Sequence, residues 1–166
     1  MMKNPILVAC FVSAAIFVLG SEQPSVRIEP TDSVGPRALE KQTKAAVVRD
    51  YLEAWRCFSS AFEQNRADLL DADFVGVAKE KLEDTIREQA KLGIQTRYRD
   101  GAHDLQLVFY SPEGLSIQLL DTVEYDVQIL DHEKVQATQH VRARYIAVLT
   151  PTEVRWKVRM FQAAPE

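Results

Sequence analysis

The sequence predicts an α+β domain in which a long N-terminal helix and a second helix pack in the concave face of a curved antiparallel sheet of four or more strands. Three observations support this prediction: apolar residues first recur every three or four positions, they alternate after Gly93, and short turns separate the alternating segments. Helices followed by a meander of strands is an α+β order. The 166 residues suffice for one domain with a substantial core.

The first helix is predicted over residues 39–65 and the second over residues 77–92. A short helix or turn at residues 67–74 lies between them, and Gly93 ends the second helix. Spacings of three and four make one apolar stripe along the first helix. Its members are Val47, Tyr51, Leu52, Trp55, Phe58 and Phe62.

Four strands are predicted after the helices, at residues 103–110, 115–130, 134–149 and 153–161. Ser111 to Gly114 has the residues of a type I turn closed by a left-handed glycine, a tight connection lies around His132, and a third turn lies at residues 150–152. All three hairpins place apolar residues on one common face, which a one-residue slip would destroy. The expected pairs are Phe109–Ile117, Leu107–Leu119, Leu105–Asp121, Val127–Ala137, Tyr125–Gln139, Val123–Val141, Leu119–Tyr145, Tyr145–Val158 and Ala147–Trp156.

The first twenty residues differ from the rest of the chain, because Lys3 precedes an uncharged, almost wholly apolar run to Gly20. This pattern predicts either a cleaved signal peptide or a retained membrane anchor, and both would place the domain on the non-cytoplasmic side of the membrane, in the periplasm or cell envelope of a bacterium. Residues 21–38 are interpreted as a flexible linker, residues 39–162 as the folded domain and residues 163–166 as a tail.

Composition excludes several classes of function. The net charge of -4 and the pI near 5.5 argue against nucleic acid, and membrane contact is expected only through the N-terminal segment. Cys10 falls in the leader, so Cys57 is expected to be a small buried residue without a disulfide. The three histidines are too scattered for a metal site, and no cofactor-binding fingerprint is present, so no cofactor is expected.

Three segments resemble the NTF2-like superfamily, which includes SnoaL-like proteins and ketosteroid isomerase. They are VRDYLEAW at residues 48–55, DADF at residues 71–74 and VRWKV at residues 154–158. The resemblance implies a cone, in which the sheet wraps the long helix and leaves an open-ended cavity. Members include enzymes, small-ligand binders and protein-interaction modules, so the fold alone does not select a function.

Polar residues that interrupt the common apolar face are the natural candidates for a pocket. His103, Asp121, Tyr125 and Gln139 do so, and the predicted register places His103 diagonal to Asp121, within reach of a hydrogen bond. Together with aromatic residues of the helix and the last strands they form the expected lining. It comprises Tyr51, Trp55, His103, Asp121, Tyr125, Gln139, Tyr145 and Trp156.

Two functions are consistent with this pocket. The first is an exported or membrane-tethered module that binds a small apolar ligand or a protein partner. The second is a small cofactor-independent isomerase, dehydratase or hydrolase, with Asp121 as base and His103 or Tyr51 as proton partner. The resemblance places Tyr51 where ketosteroid isomerases carry a catalytic tyrosine. The structural alternative is that a β-bulge turns Asp121 outward, that His103 flanks a turn and that Tyr51 belongs to the core.

The opposite face of the sheet is predicted to carry five basic residues that lie close together across the last hairpin: Arg142, Arg144, Arg155, Lys157 and Arg159. They are either a docking surface for an acidic partner or phospholipid headgroups, or an ordinary solvated face. A homodimer through the sheet is a further expectation.

Overall fold

The computed structural model describes residues 24–30 and 35–164, and the predicted leader at residues 1–20 lies outside the described residues. It confirms the α+β fold, with helices packed against a curved sheet in the order β1-β2-β3-β4-β5. Strands β2 to β5 are antiparallel, and β1 is parallel to β2. The elements are β1 (Ser25–Ile28), α1 (Lys41–Gln64), a 3₁₀ helix (Ala67–Ala72), α2 (Gly76–Lys91), β2 (Ile94–Tyr110), β3 (Ile117–Asp131), β4 (Lys134–Pro151) and β5 (Trp156–Ala163).

Helix α1 forms the centre of the core because its apolar stripe is almost completely buried against the sheet. Tyr51, Trp55 and Phe58 lie on this stripe. The helix ends at Asn65, which adopts a left-handed conformation and donates from Nδ2 to the carbonyl oxygen of Ile94 at 2.9 Å. This bond ties the end of α1 to the start of β2. Among the described residues, no helix has the length and apolar character needed to cross a membrane.

Strand β2 begins at Ile94, nine residues before the predicted start at His103. Gly93 ends α2 in a left-handed conformation, as expected, and the chain turns directly into the strand. Gln89 of α2 connects this helix to α1 and β2. Its amide donates to the carbonyl of Phe62 on α1 at 2.7 Å and accepts from the hydroxyl of Thr96 on β2 at 2.8 Å. The early part of β2 is rich in charged and polar residues, which concealed its alternation from the sequence prediction.

The first hairpin has the predicted register in its middle but not near its turn. Leu105 pairs with Asp121 and Leu107 with Leu119, as predicted. A bulge after Leu107 then shifts the strands, so the predicted pair of Phe109 with Ile117 is wrong. Phe109 pairs with Gln118 instead, and its side chain is partly exposed.

The second hairpin is shifted by two residues from the prediction. Tyr125 pairs with Val141, Gln139 pairs with Val127, and Asp121 rather than Leu119 lies opposite Tyr145. The cause is a two-residue turn at His132, followed by a bulge beside Leu130. Because the shift is even, the same residues still face inward. The predicted pairs Val127–Ala137, Val123–Val141, Tyr125–Gln139 and Leu119–Tyr145 are nevertheless wrong.

The third hairpin differs most, because its turn is longer than predicted. Thr152 closes a bend in which its amide and its hydroxyl both donate to the carbonyl of Arg155. Strand β5 therefore starts at Trp156, opposite Pro151, and Tyr145 pairs with Ala163. The predicted pairs Tyr145–Val158 and Ala147–Trp156 are both wrong by five residues.

The segment interpreted as a flexible linker contains an unexpected strand. Residues of β1 pair in parallel with β2, with Val26 beside His103 and Ile28 beside Leu105. Arg37 is also held, since its guanidinium lies 5.2 Å from the centre of the Tyr110 ring. The described part of residues 21–38 thus belongs to the domain, and the sheet is mixed rather than purely antiparallel.

Candidate functional site

The predicted polar residues of the apolar face meet in one buried network. Tyr51 donates its hydroxyl hydrogen to Asp121 Oδ2 at 2.9 Å, and His103 Nδ1 lies 2.8 Å from the same oxygen. Asp121 faces inward, so no bulge turns it outward. Burial, and then the neighbouring Asp121 charge, raise the pKa of Tyr51 well above its ordinary value. In geometry, the three groups have the contacts that proton transfer requires.

This network is closed to solvent. The side chains of His103 and Asp121 are 0% exposed, and Tyr51 is buried with them. Trp55 covers the network, with its ring centre 5.3 Å from that of His103. Asp121 Oδ1 has no hydrogen-bond partner among the described residues. The arrangement therefore has the contacts of an acid–base site without an opening for a substrate.

A second group of aromatic side chains on the concave face is less buried than the network, and we call it the aromatic mouth: Tyr98, Tyr145 and Phe161. All three are only half-buried. The rings of Tyr145 and Phe161 stack with centres 4.8 Å apart and an interplanar angle of 4°. The hydroxyl groups of Tyr145 and Tyr125 are 2.8 Å apart, and burial, with a smaller effect of Tyr145, raises the pKa of Tyr98 to about 12.

The concave face continues past the aromatic mouth along the β3–β4 hairpin. Val127 and Val141 are partly buried there, whereas Val135 near the tip is exposed. Strand β5 ends opposite Tyr145, so it does not pair with the first half of β4. An apolar, partly exposed surface therefore leads from the hairpin to the half-buried rings.

The structure divides the eight predicted pocket residues among four places. Tyr51, Trp55, His103 and Asp121 form the closed part. Tyr125 contacts both Trp55 and Tyr145, and Tyr145 belongs to the aromatic mouth. Gln139 is exposed on β4, because it lies opposite Val127 instead of Tyr125. Trp156 is at the other end of the strands, where its ring centre is 6.5 Å from that of Tyr110 and its amide donates to Asp50 Oδ2.

The five predicted basic residues do not lie together as one surface, because the β4–β5 register is shifted. Arg142 and Arg144 point to the convex face, and Arg142 forms an ion pair with Glu124 at 3.4 Å. Arg159 lies farther along β5 and donates to the Ser116 hydroxyl. The other two turn toward the 3₁₀ helix: Arg155 binds Asp73 Oδ1 at 2.7 Å, and Lys157 donates to the Asp71 carbonyl at 2.8 Å.

Cys57 is half-buried rather than fully buried, and its thiol donates to Asp73 Oδ2 at 2.7 Å. Burial and the Asp73 carboxylate raise the pKa of Cys57 to about 12. A thiol with so high a pKa is a weak nucleophile at neutral pH. Within residues 24–30 and 35–164, no three His, Cys, Asp or Glu side chains are grouped to hold a metal ion.

Sequence reasoning missed two residues of the mouth. Tyr98 lies in the part of β2 that was not predicted as a strand, although Ile94, Thr96 and Tyr98 alternate and mark one face. Phe161 was placed in the last strand, but the wrong register separated it from Tyr145. Correct placement of the turn at Thr152 would have brought the two rings together.

No protein-family model matches the chain, and no curated protein matches it significantly. Solved structures do match, over about three quarters of the chain. The intermembrane space region of the chloroplast protein ARC6 is 18% identical, with a TM-score of 0.61, and the match covers 78% of this chain and 100% of that one. A protein assigned as a scytalone dehydratase from Novosphingobium aromaticivorans is 13% identical, with a TM-score of 0.52 and coverages of 76% and 89%.

Aln2 from a Streptomyces species is also 13% identical, with a TM-score of 0.51 and coverages of 77% and 94%. These likenesses support the fold that the sequence resemblance implied. The chain has an NTF2-like fold. At such low identity these likenesses support the fold alone, and the residues of this chain determine its specific function.

Proposed function

We propose that the chain is a non-catalytic binding module of a non-cytoplasmic compartment, and that a small apolar ligand binds at the aromatic mouth. The observation that carries this proposal is the contrast in exposure along one face. The side chains of Tyr98, Tyr145 and Phe161 are partly exposed, whereas His103 and Asp121 are enclosed beneath Trp55. Apolar pockets with a few oriented polar groups are typical ligand sites.

The mouth offers both parts of such a site. Stacked rings of Tyr145 and Phe161 give an apolar wall, and the adjoining Val127 and Val141 extend it. The hydroxyl pair of Tyr125 and Tyr145 supplies a polar contact that can orient a ligand. A protein partner that inserts an apolar side chain is the alternative occupant of the same surface.

The compartment is inferred from the N-terminal sequence. The apolar run after Lys3 predicts export or anchoring, with the domain on the non-cytoplasmic side. The intermembrane space region of ARC6 has the same fold. That likeness supports the use of this fold outside the cytoplasm, and localisation of a tagged full chain would test it.

Native mass spectrometry of the purified full chain tests the proposed site. We expect a retained compound of a few hundred daltons in the wild type and its loss in Tyr145→Ser and Phe161→Ser. Trp156→Ser is the matched control, since Trp156 is a half-buried aromatic residue at the opposite end of the strands. We expect the Trp156→Ser variant to retain the ligand.

Binding of the uncharged fluorescent probe N-phenyl-1-naphthylamine provides a second readout if the ligand is lost during purification. A chain that neither retains a compound nor binds the probe at the mouth would contradict the small-ligand proposal. A second protein at stoichiometric amount, or a doubled mass that disappears in Tyr145→Ser, would instead indicate a protein partner or a homodimer.

A cofactor-independent enzyme is the second candidate function. It is favoured by the contact of both Tyr51 and His103 with one oxygen of Asp121, and by the unpartnered second oxygen. For this function, Trp55 would have to move and admit a substrate. Without such a movement, the network contributes to stability and not to catalysis.

Histidine modification by diethyl pyrocarbonate distinguishes the two candidates. The chain has three histidines, and His132 and His140 are exposed, so they serve as internal controls. We expect rapid modification of these two and none of His103 in the folded protein. Modification of His103 at a rate within about tenfold of the controls would show that the network opens and would favour the enzyme.

A further inference from the structure

A groove lies beside the first half of α1, on the side that faces the edge strand β1. Its floor is apolar and consists of Ile28 from the strand and Ala45, Val48 and Leu52 from the helix. The groove has a volume of about 590 Å³, which is in the range of small-molecule sites. It is separate from the aromatic mouth, which adjoins the second half of α1 through Phe58.

The apolar floor lies at the margin of the core, since Val48 is only 7% exposed and Leu52 packs against the buried cluster. Ala45, Val48 and Leu52 are spaced by three and four residues, so they lie on one face of α1, where the core stripe meets the surface. Ala45 is exposed and Leu52 is half-buried. Strand β1 adds Ile28, which is 39% exposed, and the neighbouring Val26 outside the groove is 40% exposed. Apolar side chains exposed side by side on two elements mark a surface that a ligand can cover.

The rim of the groove is positively charged. Lys41 and Lys44 lie in the first turn of α1, and Arg49 lies one turn farther along. Arg49 forms a salt bridge with Asp50 at 2.9 Å, but within the described residues neither Lys41 nor Lys44 forms one. Of the described residues that line the groove, none is acidic.

The position of the two lysines is electrostatically unfavourable in the empty groove. The start of a helix carries a partial positive charge, so acidic residues are favoured there and cations are not. The first turn of α1 has no acidic residue, and Glu40 makes no side-chain capping bond. An anionic group placed between the helix start and the lysines would therefore gain from both.

We propose that this groove binds a single-chain anionic amphiphile of the long-chain carboxylate class. The hydrocarbon chain covers Ile28, Val48 and Leu52, and the carboxylate lies at Lys41 and Lys44. Charge complementarity and the apolar floor favour this occupant over an uncharged lipid, which would leave the two lysines uncompensated, and over an acidic peptide, which would leave the floor uncovered.

Photolabelling of the full chain, produced with its leader included, tests the proposal. The probe is a lauric acid analogue with a diazirine on its chain, and mass spectrometry of peptides locates the adduct. We expect labelling in residues 24–30 or 41–52, competed by laurate at a concentration about tenfold lower than by lauryl alcohol. The alcohol has the same chain without the charge.

Variants separate the charge from the apolar floor. Lys41→Gln with Lys44→Gln should reduce labelling about tenfold, as expected when two charged contacts are lost. Lys81→Gln with Lys91→Gln is the matched control on the exposed face of α2 and should label normally. Ala45→Glu should abolish labelling, because it places a longer, negatively charged side chain in the groove at an exposed helical position that tolerates glutamate.

Three results would overturn the proposal: no labelling, labelling confined to residues 94–163, or equal competition by laurate and lauryl alcohol. Unchanged labelling in the double lysine variant would do the same. Circular dichroism of each variant, compared with wild type, shows whether a loss of labelling reflects unfolding. Since Tyr145→Ser should leave this labelling intact, failure of the groove is distinguishable from failure of the aromatic mouth.

Discussion

The two ends of the concave face use similar residues for opposite purposes. At the closed end, Tyr51, His103 and Asp121 satisfy one another beneath Trp55 and are fully enclosed. At the open end, Tyr98 and other aromatic residues are only half-covered, because β5 stops opposite Tyr145. The residue types alone would not separate the two ends. Coverage by α1 and the length of β5 determine which polar and aromatic groups stabilise the fold and which remain available to a ligand.

The largest effect is expected at the closed end. Asp121→Ala removes the shared partner of Tyr51 and His103 and leaves both buried, so the free energy of unfolding should fall by about 3–5 kcal/mol. Urea denaturation of the full chain measures it. Asp84→Ala, at an exposed position on α2, is the control and should change stability by less than about 0.5 kcal/mol. A loss below about 1 kcal/mol for Asp121→Ala would mean that the network does not stabilise the fold.

Tyr51→Phe should cost about 1–3 kcal/mol at neutral pH, since Asp121 loses a buried donor. The pKa of Tyr51 is raised in the folded state, so its contribution is fully present below about pH 10 and is lost as the pH rises toward the folded value. The variant should therefore lose less stability at high pH. The gap from wild type should narrow by about 1.4 kcal/mol per pH unit above pH 10.

Denaturation at pH 8, 10 and 11 measures the gap. Tyr98→Phe is the comparison from the open end, where the folded pKa is about 12 and the side chain is only half-buried. Its gap from wild type should narrow in the same way above pH 10, but the narrowing should end near pH 12, where the folded side chain itself ionises. Parallel curves for wild type and Tyr51→Phe between pH 10 and 11 would contradict the assignment of Tyr51 to the closed network.

Tyr145→Phe tests the hydrogen bond that connects the closed end of the concave face to the aromatic mouth. It removes the hydroxyl contact with Tyr125, so we expect a loss of about 0.5–1.5 kcal/mol. The double variant with Tyr125→Phe should be little worse than either single variant, because both remove the same contact. Additive losses would show that the two hydroxyl groups do not interact in solution.

Much of the fold could be predicted from the sequence because periodicity reports which residues face inward. The stripe of α1 and the alternation of β3 both encode burial, and the contact of His103 with Asp121 follows from the one hairpin whose central register was predicted correctly. The shift of the second hairpin did not change which residues face inward, because side chains alternate between the two faces and the shift is two residues.

The rest could not be predicted because it depends on bulges and on chain length in turns. A bulge adds a residue to one strand without changing its composition, so the pattern does not reveal it. The extra residues of the Thr152–Arg155 bend moved Trp156 away from Trp55 and separated Arg155 from Arg142. Strand β1 was missed because its alternation of polar and apolar residues covers only four residues, which is too short to identify a strand by its period.

The smallest effect is expected at Gln139, and it tests the register directly. Gln139 was predicted inside the cone opposite Tyr125, but the structure places it exposed opposite Val127. Gln139→Ala should therefore change the free energy of unfolding by less than about 0.5 kcal/mol, and Val135→Ala, at another exposed position of the hairpin, should do the same. A loss above about 1 kcal/mol for Gln139→Ala alone would indicate that this side chain is instead buried opposite Tyr125, as the sequence predicted. The hairpin would then close over the aromatic mouth, and the contrast between the two ends of the face would not hold.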